Sequence, residues 1–228
     1  MMSFYAIRRN SSWLCHHGVK GQKWGVKNGP PYPIASDKLA NGIYAAASKQ
    51  EPKITNDLKE LVSTTNGKLY GLEHRLKTKA SIQRKIETDA SEKGLTEFTA
   101  STDIKDAVRY TLLSNNDSFV NNYDIIKSGL VRKGYSEVRC KNYFDLYRQG
   151  KVKHKSVQSV FSTPDGYRFE IQFQTPSSQN AKDAKLPLYE EHRSLKTTPE
   201  RRKELELQME RLAEKVSTPR NVYSIKSH

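Results

Sequence analysis

The run Tyr167-Arg168-Phe169-Glu170-Ile171-Gln172-Phe173-Gln174 carries the plainest local signal in the chain, together with Val157-Gln158-Ser159-Val160-Phe161 and the linking Thr163-Pro164-Asp165-Gly166. Successive side chains of a strand point to opposite faces. Tyr167, Phe169, Ile171 and Phe173 therefore share one side, and Arg168, Glu170, Gln172 and Gln174 the other. Pro-Asp-Gly is good turn chemistry, so the two runs read as arms of a β-hairpin. A carboxylate projecting from such a strand between apolar neighbours is a candidate for chemistry. If an acid from elsewhere meets the polar side, the pair can grip a metal ion and Glu170 can polarise an attacking hydroxyl.

Upstream of the hairpin, the folded region is expected to begin near Ile54, with Asp57, Leu58, Leu61 and Val62 in a helix that ends before Asn66-Gly67. A strand-like segment follows at residues 69–76. Ser81 can cap a helix with Ile82, Ile86 and Ala90 inside and Gly94 as its stop. The acidic-to-apolar run of residues 103–113 comes next. Ser118 then starts a helix with Phe119, Val120, Tyr123, Ile126 and Leu130 at helical spacing, and strand-like pieces occupy residues 135–144. Near the end, Thr198 caps a helix whose first turn holds Pro199 and whose stripe is Leu205, Met209, Leu212 and Val216. Five Glu balance five Lys or Arg between Glu200 and Val216, as in a helix packed on a domain surface. No internal repeat is present.

Two further groups have chemical potential. Arg75 and Lys77 lie two apart on the expected strand, and Ser81 and Lys85 lie four apart on the following helix. Three cations and a hydroxyl around a helix N-terminus suit a polyphosphate, because the backbone N–H groups there already favour anions. Asp106, just before an apolar strand, can hold Mg²⁺ against nucleotide phosphates. Arg109 nearby can offset charge on a transferring group.

Taken in order, these segments resemble the RelA/SpoT alarmone synthetases. Arg75-Leu76-Lys77, Ser81-Ile82 and Lys85-Ile86 resemble the family's ATP-binding pattern. Ile104-Lys105-Asp106 through Arg109 sits where the family has a metal-binding aspartate and a phosphate-contacting arginine. Phe169-Glu170-Ile171-Gln172-Phe173-Gln174-Thr175 resembles its Glu-Ile-Gln strand with the catalytic glutamate. The likeness covers roughly residues 68–175.

The resemblance implies an α+β, nucleotidyltransferase-like mixed β-sheet flanked by helices. It also implies transfer of the β,γ-pyrophosphate of ATP to a ribose 3′-hydroxyl. Arg75, Lys77, Ser81 and Lys85 would bind ATP. Asp106 and Glu170 would hold Mg²⁺, and Glu170, Asp106 and Arg109 would be catalytic. Counting back from Glu170, the family's acceptor loop Gly-Tyr-x-Ser-x-His aligns with His154, Ser156 and Gln158. The guanine-stacking Tyr is thus replaced by His154, the loop His by Gln158, and the Arg of the Glu-Ile-Gln segment by Gln174. His154, Ser156, Gln158 and Gln172 form the expected acceptor side, with the 3′ end of tRNA or a guanosine nucleotide as acceptor. Some small members of the family look like toxins acting on tRNA, and a toxin implies an antitoxin partner.

Composition agrees with an anionic partner. Of 228 residues, 39 are Lys or Arg and 25 Asp or Glu, a formal charge of +14, and mean hydropathy is −0.80. Such an excess favours nucleic acid or nucleotide phosphates. No apolar run is long enough to span a membrane and no signal-type stretch opens the chain, so no membrane partner is expected. Cys15 and Cys140 cannot build a disulfide framework, which suits a bacterial cytoplasm.

Residues 1–50 read as an irregular basic appendage with Asp37 its only acid, 51–180 as the synthetase-like domain, and 181–228 as a helical extension. The run Cys15-His16-His17-Gly18-Val19-Lys20-Gly21-Gln22-Lys23-Trp24-Gly25-Val26 resembles a short motif of Gram-positive phage proteins, which implies a virion setting and a structural partner. Its adjacent ligands fit one tetrahedral zinc poorly. Two other readings stay open beside the enzyme: a non-catalytic basic phage protein that binds nucleic acid or capsid, and a different toxin chemistry such as ADP-ribosyl transfer.

Overall fold

The computed structural model describes residues 35–194 and 196–228. The phage-like motif at residues 15–26 and the Pro30-Pro31-Tyr32-Pro33 cluster lie outside them. Helices are α1 (Ser36–Ser63), α2 (Lys79–Lys93), α3 (Glu97–Thr102), α4 (Phe119–Arg132), α5 (Tyr143–Arg148), α6 (Pro176–His192) and α7 (Pro199–Glu214). The chain divides into two compact units. One holds the described residues up to Ala46 with Thr78–Ile104, and the other Ala47–Lys77 with Lys105–His228.

The second unit is built on one mixed sheet of β1 (Lys68–Tyr70), β2 (Arg109–Leu113), β3 (Ser136–Asn142), β4 (Val157–Ser162) and β5 (Arg168–Gln174). Their spatial order is β1-β2-β5-β4-β3, with β2 and β5 parallel and the other pairs antiparallel. The expected hairpin is present, with Val157 opposite Phe173 and Ser162 opposite Arg168. Its turn closes by Gly166 N–H donating to Thr163 O at 2.9 Å, and Gly166 takes φ 86°, where a Cβ would be strained. The strand read first from the sequence is therefore the central one.

Phe169, Ile171 and Phe173 are each at most 1% exposed. On that face Tyr123 of α4 meets Phe173 edge-on, with ring centroids 5.0 Å apart. Helix α4 starts at Ser118 as expected and buries Phe119, Tyr123, Ile126 and Leu130. It also buries Gly129, where a Cβ would fall 2.3 Å from Leu61 Cδ2 of α1, so any larger residue would have to displace the Leu61 side chain.

The other unit contains α2, which buries Ile82, Ile86 and Ala90, the face expected for it. Thr78 rather than Ser81 is its N-cap, and the Thr78 hydroxyl accepts from Ser81 N–H at 3.2 Å. Ser36 donates to Glu87 at 2.6 Å within this unit.

Three expectations need correction. The irregular appendage does not reach residue 50, because α1 begins at Ser36 and buries Ala40, Ala47, Ile54 and Leu58 at helical spacing. The helical extension has no boundary at 181, since α6 starts at Pro176 and belongs with α7 to the unit of the sheet. The strand expected at 69–76 stops at Tyr70, where Gly71 turns left-handed (φ 61°) into a 3₁₀ turn at Leu72–His74. Only Leu76 returns to the sheet, as an isolated bridge to Val108.

Residues 222–228 run along the edge strand β3, with Cys140 and His228 exchanging both backbone hydrogen bonds at 3.0 Å. Asn142 ties them down. Its fully buried amide donates to Val222 O at 2.8 Å and Ile225 O at 3.0 Å, and its oxygen caps α5 through Phe144 N–H at 3.1 Å. Asn142→Ala strands two buried carbonyls and removes the cap, so a loss of about 3 kcal/mol is expected in urea unfolding. Protease cutting near residue 222 should become faster in parallel.

Candidate active site

The short antiparallel contact around Leu76 and Val108 brings two sequence-distant charges together. Lys77 N–H donates to Ala107 O at 2.9 Å, and Arg109 N–H to Arg75 O at 2.8 Å. Lys77 therefore lies alongside Asp106. Its Nζ is 2.5 Å from Asp106 Oδ2, and Arg109 Nη1 is 3.9 Å from the same oxygen. The parallel register then places Arg109 opposite Glu170, whose N–H donates to Val108 O at 3.1 Å. Asp106 and Glu170 thus stand near one end of adjacent strands, and both carboxylates are 8% exposed.

Arg75 and Lys77 do not project from one strand face as expected, because the turn at Leu72–His74 separates them from β1. Arg75 instead donates from Nε to Glu51 of α1, and from Nη1 to Leu72 O at 2.6 Å. Its Nη2 has no acceptor among the described residues. Glu51 also accepts from the Thr55 hydroxyl, which lies 2.7 Å from the Tyr110 hydroxyl. Burial acts to raise the Glu51 carboxyl, but the hydrogen bonds from Arg75 and Thr55 outweigh it and hold the group below its ordinary value. Ser81 and Lys85 lie on α2 in the other unit, in its first and second turns.

The polar side of β5 is not a solvated face. Glu170, Gln172 and Gln174 are 8%, 5% and 3% exposed. Helix α6 covers them: Ser178 donates to Gln174 Oε1 at 2.5 Å, and Lys182 Nζ to Gln172 Oε1 at 2.7 Å. Gln172 in turn donates from Nε2 to Glu170 Oε1 at 2.6 Å. Beside this row opens a cavity of about 460 Å³. All four residues expected on the acceptor side, His154, Ser156, Gln158 and Gln172, line it. Met209 and Val216 of the α7 stripe line it too, so that stripe walls a cavity as well as packing.

The lining combines lysines with apolar side chains, among them Leu186, Met209 and Val216. Lys153, Lys182 and Lys185 all contribute to it. Burial first, then the charge of Arg109, lowers the Lys182 ammonium from its ordinary value. His154 is exposed overall, yet its ring lies 4.2 Å from that of Tyr143. Partial burial and then the charge of Lys185 lower its pKa, which leaves a neutral imidazole at pH 7. The Ser156 hydroxyl is buried with no partner among the described residues, as is Arg139 Nε on β3. A buried polar atom without a partner costs stability unless a ligand or water meets it.

Among the described residues, no three His, Cys, Asp or Glu side chains gather to hold a metal. Asp106 and Glu170 supply the oxygen donors that Mg²⁺ prefers, and that ion needs only one or two carboxylates beside water and substrate phosphates. No helix among the described residues is long and apolar enough to cross a membrane.

Sequence reasoning missed Lys182, Glu51 and Arg139. The signal for Lys182 was available, since Ser178, Lys182 and Lys185 recur at helical spacing behind the β5 strand. Glu51 gave none, because its partner is 24 residues away and reached through a turn.

No family profile and no curated protein matches the chain. Solved structures do. Small alarmone synthetase 2 from Bacillus subtilis superposes with a TM-score of 0.51 at 15% identity, over 79% of this chain and 91% of that one. Small alarmone synthetase 1 from the same organism gives 0.49 at 21% identity, over 75% and 85%. The type VI effector Tas1, solved with its immunity protein, gives 0.49 at 17% identity, over 78% and 95%. The chain has the fold of the small alarmone synthetases, a nucleotidyltransferase-like mixed sheet flanked by helices.

Proposed function

We propose that this protein is a RelA/SpoT-like pyrophosphokinase that moves the β,γ-pyrophosphate of ATP onto a ribose 3′-hydroxyl. The observation that carries the reading is the cluster Lys77–Asp106–Arg109, with Arg109 in register with buried Glu170, whose partner Gln172 lines the adjoining cavity. Phosphoryl-type transfer asks the protein mainly for positioning and charge neutralisation. Lys77, Arg109 and the outer nitrogen of Arg75 neutralise the polyphosphate. Glu170 takes the proton of the 3′-hydroxyl as its oxygen bonds to the β-phosphorus, the bond from that phosphorus to the α-phosphate bridge breaks, and AMP leaves. Mg²⁺, held by Asp106 and Glu170 with the phosphates, would supply further charge neutralisation. The parts of Ser81 and Lys85 in ATP binding rest on the sequence pattern alone.

The acceptor enters the cavity lined by His154, Ser156, Gln158 and Gln172. The +14 charge favours the 3′ end of tRNA, an acceptor that suits a toxin with an antitoxin partner; the phage setting rests on the motif at residues 15–26 alone. The test is a side-by-side assay with γ-labelled ATP and Mg²⁺, offering tRNA and a guanosine nucleotide. Label on either acceptor supports the reading, and label on tRNA supports the toxin. Folded protein that labels neither, while still binding nucleic acid, would leave the basic accessory protein as the better description.

Glu51 orients Arg75, so Glu51→Ala should raise the KM for ATP about fivefold and leave kcat within about twofold. Initial rates over a range of ATP concentrations, with Arg75→Ala in parallel, check this.

A further inference from the structure

We propose that Lys182 is a positioning residue that orients the Gln172 amide, so that its N–H group always faces the Glu170 carboxylate. The inference rests on the reading of Glu170 as the proton acceptor. A glutamine amide can be turned end for end, presenting either a donor or an acceptor to a given neighbour. The lysine ammonium has donors only. With Lys182 Nζ 2.7 Å from the amide, the amide oxygen must face it, and the amide nitrogen is forced toward Glu170 Oε1 at 2.6 Å. The reverse orientation would set oxygen against an ionised carboxylate and nitrogen against an ammonium.

This order has consequences for Glu170. Its Oε1 is occupied by a fixed donor, which holds the carboxylate plane, and Oε2 has no partner among the described residues. Gln172 is 5% and Glu170 8% exposed, so water does not compete freely for these bonds. Gln172, expected on the acceptor side, is by this account mainly the spacer between a lysine on α6 and the carboxylate on β5. Packing does not explain the lysine, because a partly buried ammonium that feels the charge of Arg109 is costly and an apolar side chain would fill the place at lower cost.

The experiment compares wild type with K182M, K182R, Q172M, the double variant K182M/Q172M, and E170Q. K182M is expected to lower kcat about tenfold while the KM for ATP stays within about twofold, since one charge-assisted hydrogen bond loses its fixed direction. K182R, which keeps a donor, should recover most of the rate. In the Q172M background K182M should have no further effect. A second readout needs neither substrate nor metal: the side-chain amide protons of Gln172, identified by their disappearance in Q172M, should exchange slowly in wild type and quickly in K182M. If K182M does not fold, K182A takes its place in every arm. The proposal is overturned if K182M leaves both kcat and amide exchange as in wild type, or if its penalty persists without Gln172. If E170Q transfers as fast as wild type, the reading of Glu170 falls and the inference with it.

Discussion

Glu170→Gln is expected to slow pyrophosphate transfer by ~10³-fold, within the range for removing a general base. The change keeps the shape of the side chain, and the new amide can turn its oxygen toward Gln172 Nε2, so the hydrogen bond seen at 2.6 Å has a substitute. What disappears is the negative charge and the ability to take a proton from the 3′-hydroxyl. The KM for ATP should move little, because in the proposed mechanism the phosphates are gathered by Lys77, Arg75 and Arg109. Thermal unfolding should stay within a few degrees of wild type, or rise, as a buried charge is removed. Single-turnover rates with labelled ATP are the measurement. A variant as fast as wild type would remove Glu170 from the chemistry altogether.

Asp106→Asn is the second large effect, and its sign differs between binding and turnover. The aspartate lies between two cations, 2.5 Å from Lys77 and 3.9 Å from Arg109. Without its charge, the two cations lose one carboxylate that offsets them, so ATP binding in the absence of divalent metal should tighten. Turnover should fall by ~10²-fold, the scale for losing one preorganised electrostatic contact in the transition state. Folding should weaken too, since a pair whose members are mostly buried loses its ionic partner. Metal-free ATP titration and initial rates with Mg²⁺ test the two halves independently. Unchanged turnover together with tighter binding would mean that Asp106 merely restrains Lys77.

Much of this was legible beforehand where the physics is local. The β4–β5 hairpin follows from alternation and one turn. Helix α4 follows from Ser118 and five apolar positions at helical spacing, and the α7 start from Thr198 and Pro199. Helix α1 was underestimated, because its first half has alanines and small polar residues whose burial depends on partners elsewhere in the chain.

Residue types and spacing marked Lys77, Asp106 and Glu170 as separate candidates, because charges beside strands and turns are visible in one dimension. Folding in three dimensions settled the rest. The turn after Gly71 sends Arg75 to Glu51 and Lys77 to Asp106, although the two cations are neighbours in the chain. The β2–β5 register sets Arg109 opposite Glu170, and α6 lays Lys182 over Gln172. Each of these depends on which backbone hydrogen bonds form between distant segments. A register shift of one residue would turn every one of those side chains to the opposite face.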